Sequence, residues 1–376
     1  MKSLVLGITA PLSTVLIEGQ IQFFSEKGYK VFLMAPPEKV VWDLCERENG
    51  KLLPVKIKRE ISIFNDIKAL FQIINHLRKI KPDIVNVGTP KMGLLGMVGA
   101  RLMGVKKRIY TCRGFRYEHE KGLKRRTLVF LEKLTARLAH KVICISPSVK
   151  QMGLKDNIFP EKKALVFAKG SSNGLNLKKF SEKAIDQGKK QKLINELGLN
   201  DKFVFGFVGR IVDRKGVSEL YNAFDDLYRK YPKIHLIIVG KINIQQVSDK
   251  TLIEKLNQHP GIVLTGYQED IPLYMSVFDV FVLPAWWEGF GNTLIQAAAM
   301  GLPVISTNVT GCKDAVNDGY NGVLIKPRSV EALASAMEQF YINENDRKKL
   351  GNNGLQWAKE FDSHTIWAEM QRLYES

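Results

Sequence analysis

The sequence predicts an α/β fold with two doubly wound domains, and three observations indicate it. Short apolar runs alternate with segments of helical length, as in βαβ units around a parallel sheet covered on both faces. The alternation stops in a polar stretch near residues 170–200 and then starts again. The 376 residues, 45% of them hydrophobic, are enough to form two cores. We therefore predict one domain over residues 1–180 and a second over 181–360, with a terminal helix over 361–376 that returns to the first.

In the first half, six apolar runs are expected to form strands. They are "SLVLGI", "KVFLMA", "DIVNVG", "KRIYTC", "KVICIS" and "ALVFA". Helices are predicted for "STVLIEGQIQFFSEKG", "DIKALFQIINHLRKI" and "KRRTLVFLEKLTARLAH". The N-terminus has the lysine and apolar run of a signal peptide, but Gly7, Pro11 and Ser13 interrupt it, so a first strand, a turn and a helix are favoured.

In the second half, five further strands are expected, followed by an amphipathic tail, "DSHTIWAEMQRLYES". The strands are "FVFGFVG", "IHLIIVG", "GIVLTG", "VFVLP" and "PVIST". Ligands of doubly wound sheets bind at the carboxyl ends of the strands, which directs attention to the loops that follow them. Arg210 and Lys215 lie in the first of these loops. Two cations near a sheet edge are suited to a diphosphate.

The stretch "WEGFGNTLIQAAAMG", from Trp287 to Gly301, combines an acid with a glycine-rich turn that opens into a helix. Such a turn directs unpaired N–H groups and a positive dipole at whatever lies in front of it, which favours an anion. Gln296 is about one turn inside the helix, so its amide is expected beside that anion. Glu288 supplies the acid of this predicted anion site. A structural role alone, with Glu288 favouring the helix dipole, is the alternative interpretation.

Charge is distributed unevenly along the chain. The net charge is +18, and residues 1–180 contain 34 Lys and Arg against 14 Asp and Glu, whereas the remainder contains 22 against 24. This asymmetry indicates a polyanionic partner for the first half, either an anionic membrane surface or nucleic acid. A basic, solvated surface without a partner is the simpler alternative.

Several classes of protein are disfavoured by what the sequence lacks. The four cysteines stand far apart and form no C-x-x-C or Cys/His pair, so we expect neither a metal site nor a disulfide framework. No segment approaches the roughly 20 apolar residues of a membrane span. The G-x-G-x-x-G fingerprint is absent from the first strand of each half, which disfavours a dehydrogenase.

Three motifs of the second half carry a resemblance to a known family: "GRIVDRKG", "LPAWWEGFGNTLIQAAAMGLPVISTNVTG" and "DGYNGVLIKP". Weaker similarity extends over "GTPKMGLLGMVGARLMGV", "YTCRGFRYEHEKGLKR", "KVICISPSV" and "GSSNGLNLKKF". Together they resemble the retaining glycosyltransferases of family 4. The resemblance implies the GT-B fold, in which two Rossmann-like domains face a cleft.

Residue by residue, the resemblance implies a donor site in the second domain. Arg210 and Lys215 match the pair that neutralises the nucleotide-sugar diphosphate, and Glu288 matches the first acid of a Glu, seven residues, Glu motif, which contacts the donor sugar. Gln296 occupies the place of the second Glu, which binds ribose, and its amide keeps an acceptor oxygen for that role. Further donor contacts are expected from Gly289, Phe290, Gly291, Asn292, Thr293, Tyr267 (stacking on the base) and Arg113 (in "TCRG", where the family usually reads T-x-H-G).

The implied reaction is transfer of a sugar from a nucleotide-diphosphate sugar, with UDP favoured, and with retention of configuration. No strong nucleophile is visible, which fits a front-face displacement. Cationic side chains of the protein are expected to stabilise the leaving diphosphate, so we expect neither a metal nor another cofactor. A nucleotide-sugar epimerase of the same fold is the nearest alternative function.

The resemblance also implies an acceptor. It is strongest to bacterial enzymes that build capsule, lipopolysaccharide or glycoprotein oligosaccharides on undecaprenyl diphosphate, which implies a cytoplasmic protein at the inner face of the membrane. Contacts to the acceptor or the membrane are expected from Thr89, Lys91, Lys121, Lys124, Arg125 and Arg126. A nucleic-acid-binding protein is the alternative from another class, but it needs aromatic residues among the cations, and only Phe115 and Tyr117 are candidates.

Overall fold

The computed structural model describes residues 1–58 and 62–376 and divides into two compact units. The first unit comprises Met1–Gly174 together with Ser363–Ser376, and the second comprises Leu175–Asp362. Each unit contains one parallel sheet with helices on its faces. This confirms the predicted fold class.

All thirteen strands of the described chain lie in these two sheets. In the first unit they are β1 (Ser3–Gly7), β2 (Lys30–Ala35), β3 (Lys51–Pro54), β4 (Ile84–Gly88), β5 (Lys107–Cys112), β6 (Lys141–Cys144) and β7 (Ala164–Leu165). In the second unit they are β8 (Phe203–Val208), β9 (Ile234–Val239), β10 (Ile262–Gly266), β11 (Val280–Leu283), β12 (Val304–Thr307) and β13 (Gly322–Ile325). Their orders are β3-β2-β1-β4-β5-β6-β7 and β10-β9-β8-β11-β12-β13.

Fifteen helices connect or flank these strands in the described residues. Those of the first half are α1 (Gln20–Glu26), α2 (Lys39–Arg47), α3 (Ile63–Ile80), α4 (Pro90–Leu102), α5 (Gly122–Leu138) and α6 (Pro147–Lys155). The others are α7 (Gln187–Glu196), α8 (Val217–Lys230), α9 (Leu252–Gln258), α10 (Ile271–Met275), α11 (Asn292–Ala299), α12 (Cys312–Ala315), α13 (Val330–Ile342), α14 (Glu344–Lys359) and α15 (Ser363–Glu375).

The structure differs from the sequence prediction at three elements. β3 and β13 were not predicted: β3 has only two apolar residues between Lys51 and Pro54, and β13 directly follows the turn residues "NDGYN". The proline of β3 is tolerated because this strand lies at the edge of its sheet. The helix expected over "STVLIEGQIQFFSEKG" is divided into a 3-10 turn, Pro11–Leu16, and α1. Gly19 causes the break: its φ is +80°, and a Cβ there would lie 2.5 Å from the ring of Trp367.

Two apolar layers enclose the sheet of the first unit. On one face, strand side chains pack against α3, α4, α5 and α6. On the other face they pack against α1, α2 and the C-terminal helix α15. The amphipathic tail therefore returns to the first unit as predicted, with Ile366, Trp367, Met370 and Tyr374 buried.

The two sheets share one feature that locates a ligand site. In each, the first strand in the chain lies beside the fourth, and the connections from these two strands run in opposite directions along the sheet. This switch point lies between β1 and β4 in the first unit and between β8 and β11 in the second. Loops that follow the paired strands diverge there and leave space for a ligand.

Candidate active site

At the switch point of the second unit, the loops after β8 and β11 are held together by main-chain contacts. The amide of Trp286 donates to the carbonyl of Arg214 at 2.8 Å. Gly216 has a φ of +70°, and a Cβ there would lie 2.0 Å from the carbonyl oxygen of Pro284. Only glycine allows this approach, so the "DRKG" turn places its cations against the Glu288 loop.

The main chain of Glu288 is fixed by a third loop, which follows β12. Its amide donates to the carbonyl of Thr310 at 3.2 Å. Gly311, with a φ of +79°, approaches so closely that a Cβ there would lie 2.6 Å from the carbonyl oxygen of Glu288. The carboxylate itself is 12% exposed, so it is held in place while one side remains open to a ligand.

The carboxylate of Glu288 forms the centre of a charged cluster. Its Oε1 accepts a charged contact from Nζ of Lys215 and lies 3.4 Å from Nη1 of Arg214. The Arg214 guanidinium lies over the ring of Trp287, 4.7 Å from its centroid. Two cations therefore meet one anion at side-chain exposures of 12–23%, which leaves a local positive charge suited to a second, external anion.

Arg214 is a site residue that was not predicted from the sequence. The prediction considered only Arg210 and Lys215 in "GRIVDRKG", although Arg214 lies in the same motif. Arg210 follows β8 and Gly209 directly and is half-buried. No local feature of the sequence singles out Arg214, because its contact with Trp287 joins two loops that lie 73 residues apart in the chain.

The helix after the Glu288 turn is α11, which begins at Asn292 with Gly291 as its N-cap. Gly291 has no side chain to cap the first-turn amides, and Thr293 and Gln296 are half-buried. Phe290 is only 7% exposed and packs on Phe361 at a centroid distance of 5.5 Å. Its ring therefore belongs to the core, and only its main chain, like that of Gly289, is available to a donor.

Tyr267 follows β10 at the same sheet edge and is 58% exposed. Nζ of Lys241 lies 4.8 Å from its ring centroid. The loop that contains Lys241 is fixed by Gly240, where a Cβ would lie 1.9 Å from the carbonyl oxygen of Gly209. An exposed aromatic ring on a rigid edge can stack on a nucleotide base.

Arg113 belongs to the first unit, and its guanidinium is engaged there. Nε donates to Oγ of Ser172 at 2.7 Å, and Nη2 donates to the carbonyl of Leu16 at 3.3 Å. Nη1 lies above the main chain of Gly88, buried and without a hydrogen-bond partner in the described chain. Burial lowers the pKa of Arg113 to about 10, so the side chain stays charged at neutral pH.

The other predicted residues of the first unit lie at the starts of α4 and α5. Thr89 caps α4 at a φ of +68°, with its hydroxyl 2.6 Å from that of Thr9. Nζ of Lys91 contacts Asp66 at 2.7 Å. At the start of α5, Lys121, Lys124, Arg125 and Arg126 are all exposed. Lys124 pairs with Glu120 at 2.6 Å, and Arg125 pairs with Asp156 at 3.2 Å.

The described residues contain neither a cluster suited to a metal ion nor a helix suited to span a membrane. No group of three or more His, Cys, Asp or Glu side chains is placed to hold a metal ion. Among the helices in 1–58 and 62–376, none has both the length and the hydropathy needed to cross a membrane.

Two family models match the chain. The model "Glycosyl transferases group 1" matches residues 189–357, which include the charged cluster, and "Glycosyl transferase 4-like" matches residues 6–146. The capsular polysaccharide biosynthesis glycosyltransferase CapM of Staphylococcus aureus is 36% identical over 370 residues, covering 98% of this chain and 96% of the relative. A UDP-Gal:alpha-D-GlcNAc-diphosphoundecaprenol alpha-1,3-galactosyltransferase of Escherichia coli is 31% identical over 318 residues, covering 81% and 79%.

Solved structures share the fold over the full length. HepE of Anabaena in complex with UDP and glucose superimposes with a TM-score of 0.83 at 17% identity, covering 100% of both chains. Sucrose-phosphate synthase from Thermosynechococcus elongatus superimposes with a TM-score of 0.84 at 20% identity, covering 100% of this chain and 98% of the other.

Proposed function

The chain belongs to the group 1 glycosyl transferases, and on this premise we propose that it transfers a sugar from a UDP-sugar to a lipid-linked acceptor with retention of configuration. The observation that carries the proposal is the cluster of Glu288 with Lys215 and Arg214 at the switch point of the second unit. It combines a surplus of positive charge for a diphosphate with one carboxylate for sugar hydroxyls.

The cluster can respond directly to the arrival of a donor. The diphosphate of the donor would take Lys215 and Arg214 as partners, together with Arg210 and the amides at the start of α11. The Oε1 of Glu288, released from these cations, would then accept hydrogen bonds from the donor sugar. Glu288 would therefore become available only when the donor is bound. In this state its carboxylate would contact the sugar and not the nucleotide.

In the reaction, the bond between the anomeric carbon and the β-phosphate oxygen breaks, and the acceptor oxygen bonds to that carbon on the same face. The acceptor hydroxyl loses its proton to the departing phosphate, so no protein nucleophile or base is required. Negative charge grows on the leaving diphosphate, where Arg210, Lys215 and the start of α11 stabilise it. Because these groups belong to the protein, we propose that no metal is needed.

The choice of UDP has two kinds of support. The Escherichia coli relative is named for UDP-Gal, and HepE was solved with UDP. In this chain, Gln296 on the first turns of α11 would hold the ribose hydroxyls, and the exposed ring of Tyr267 would stack on the base.

The lipid-linked acceptor is supported by relatives and by charge. The Escherichia coli relative is named for an acceptor on diphosphoundecaprenol. An alpha-1,3-N-acetylgalactosaminyltransferase of Campylobacter jejuni, 25% identical over 366 residues, is named for a diphospho-undecaprenol acceptor as well. The first unit contains 33 Lys and Arg against 16 Asp and Glu, whereas the second contains 23 against 22. We propose that the first unit binds the acceptor at the cytoplasmic face of a bacterial membrane during assembly of capsule or a related polysaccharide. The exposed cations Lys121, Lys124, Arg125 and Arg126 would contribute to this contact.

Nucleic acid was the alternative partner for the basic surface, and Phe115 and Tyr117 were the aromatic residues expected to stack on its bases. Both are buried, at 2% and 1% exposure, and they stack on each other at 5.0 Å. They form part of the core of the first unit and are not accessible to bases.

A transfer assay tests the proposed function. Purified protein would be incubated in EDTA with a panel of radiolabelled UDP-hexoses and UDP-N-acetylhexosamines and a short-chain polyprenyl diphosphate sugar that dissolves in water. We expect one donor to label the butanol-soluble product and to release UDP in equal amount. Conversion of one UDP-sugar into another without acceptor would instead identify an epimerase, and turnover only with added divalent metal would contradict the metal-free mechanism.

A further inference from the structure

Helix α3 of the first unit exposes a row of large apolar side chains to solvent. Ile63, Phe64, Ile67 and Phe71 are 72%, 82%, 47% and 67% exposed. Their spacing places them on one side of the helix over about two and a half turns. The opposite side is already filled, because Ala69, Ile73 and Leu77 are fully buried in the core of the first unit. The apolar side chains on the outer face of α3 therefore do not contribute to the core of the first unit.

The charged residues of α3 complement this face. Lys68, Arg78 and Lys79 are exposed, whereas the acid of the helix, Asp66, is paired with Lys91 at 2.7 Å. Apolar side chains bordered by cations are typical of helices that lie in the plane of a membrane interface. A helix that only faced water would carry polar residues here.

Helix α5, in the same layer of the first unit, also exposes apolar and basic side chains. α4 packs between α3 and α5, so the outer surfaces of α3 and α5 flank it on one face of the sheet. α5 exposes Leu123 and Phe130, at 79% and 64%, and carries the Lys121–Arg126 cluster at its start. Its acid Glu132 is buried under Tyr110. The whole layer thus presents apolar and cationic side chains together.

The second unit provides an internal comparison. Its exposed large apolar residues, which include Ile342 on α13 and Leu355 on α14, are scattered, and no helix of the second unit exposes more than one. Single exposed apolar residues are normal on a protein surface, whereas a continuous row indicates a binding surface. The α3 row is therefore specific to the basic unit.

We propose that the outer face of α3 inserts into the headgroup region of an anionic bilayer, with Phe64 and Phe71 as the inserted side chains and the neighbouring cations on lipid phosphates. Charge complementarity favours lipid over a second copy of this chain, because two copies joined at this face would bring their lysines and arginines together. This inference rests on the proposed function, since a lipid-linked acceptor requires the enzyme at a membrane.

Vesicle sedimentation tests the proposal. The double variant Phe64→Ser, Phe71→Ser would be compared with wild type on vesicles of phosphatidylglycerol and phosphatidylcholine. We expect at least about tenfold weaker binding, with the loss persisting at high salt because it reflects apolar burial. Neutralising Lys121, Lys124, Arg125 and Arg126 should instead cause a loss that shrinks as salt rises. The matched control Ile342→Ser, Leu355→Ser should bind as wild type.

A labelled cysteine reports insertion directly. Cys45, Cys112, Cys144 and Cys312 are all buried, so Phe64→Cys adds the one accessible thiol of the described chain. An environment-sensitive dye on Phe64→Cys should shift to the blue on vesicles and be quenched by lipid-borne quenchers, whereas the same dye on Ile342→Cys should not. An unchanged spectrum, or unchanged binding of the double serine variant, would overturn the proposal.

Transfer assays separate this inference from the proposed function. The double serine variant should lose transfer to acceptor embedded in vesicles and keep transfer to the soluble short-chain acceptor. Absence of any transfer by wild type would contradict the proposed function while the vesicle result still decides the role of α3. A stable wild-type dimer in sedimentation velocity that the double variant converts to monomer would show that a second copy covers this face, and would overturn the membrane assignment.

Discussion

The two units share a strand order but differ in what they place at the switch point. In the first unit, the loops after β1 and β4 meet through two hydroxyls, with Thr9 and Thr89 2.6 Å apart and the amide of Met92 donating to Thr9 at 3.0 Å. In the second, the loops after β8 and β11 meet through Lys215, Arg214 and Glu288. Topology determines which loops meet, and the residue types in them determine the chemistry.

The unit with the larger net positive charge is not the unit that contains the proposed diphosphate site. The first unit has a surplus of 17 positive charges and the second a surplus of one, yet the second holds the cation cluster proposed for the diphosphate. The exposed surfaces of α3 and α5 carry eight Lys and Arg, whereas these two helices contain only two acids. Overall charge therefore indicates a surface partner, whereas a small-molecule site depends on a few partly buried side chains.

The largest expected effect is on catalysis in the second unit. Glu288→Gln should lower kcat by about 1,000-fold, or about 4 kcal/mol, because the carboxylate is assigned to the sugar in the transition state. UDP affinity should stay within about threefold, since Lys215 and Arg214 remain. Steady-state kinetics and calorimetric titration with UDP would measure the two quantities. An unchanged kcat would remove Glu288 from the site.

The next effect concerns stability of the first unit. Glu132 is buried, and this burial raises its pKa from 4.5 to about 7, while Tyr110 donates to it at 2.9 Å. The carboxyl group of Glu132 therefore binds its proton more tightly in the folded protein than in the unfolded chain. As pH rises from 4.5 to about 7 the proton is lost, and the contribution of Glu132 to the free energy of unfolding falls.

Glu132→Gln should remove that pH dependence and stabilise the protein by on the order of 3 kcal/mol at pH 8, with little gain at pH 4.5. Thermal unfolding of both proteins from pH 4.5 to 8 measures the difference. An equal gain at all pH values would mean that Glu132 is ionised throughout.

A smaller effect is expected on donor binding. Lys215→Met should weaken UDP binding by about 30-fold, or about 2 kcal/mol, because it removes one charge partner of the diphosphate. Lys91→Met is the matched control. Lys91 also forms an ion pair, with Asp66, and its side chain is also largely buried, but it lies in the first unit. Equal weakening in both variants would contradict the assignment of the diphosphate to the second unit.

The smallest effect tests the ribose contact. Gln296→Glu should tighten UDP binding by a few-fold, because an ionised acceptor forms a stronger hydrogen bond with a hydroxyl. The gain should be reduced for 2′-deoxy-UDP, which lacks one of the hydroxyls. If both nucleotides responded identically in titrations, Gln296 would not contact the ribose.

Much of the fold could be predicted because apolar runs identify buried parallel strands. β3 and β13 were missed because β3 has only two apolar residues between a lysine and a proline and β13 directly follows a run of turn residues. The break at Gly19 depends on Trp367, which lies more than 300 residues later in the chain. Contacts of that range leave no local signal.

The residues of the candidate site differ in how far the sequence indicated them. Lys215 and Glu288 could be proposed because their motifs combine glycine turns with charge. Arg214 could not be separated from its neighbours, since its position over Trp287 depends on how two loops meet. Arg113 was proposed from the resemblance of "TCRG" to a family segment, and its donor contact stays a prediction. Its hydrogen bond to Ser172, 59 residues away, could not be predicted from the local sequence.

Amide hydrogen exchange with and without UDP, in EDTA, tests the central contrast between the two switch points most directly. We predict that UDP protects the amides of residues 209–216 and 289–293 in the second unit and leaves those around Thr9 and Thr89 in the first unit unchanged. Protection that appears only with added divalent metal, or that appears at the Thr9 and Thr89 loops instead, would contradict the account.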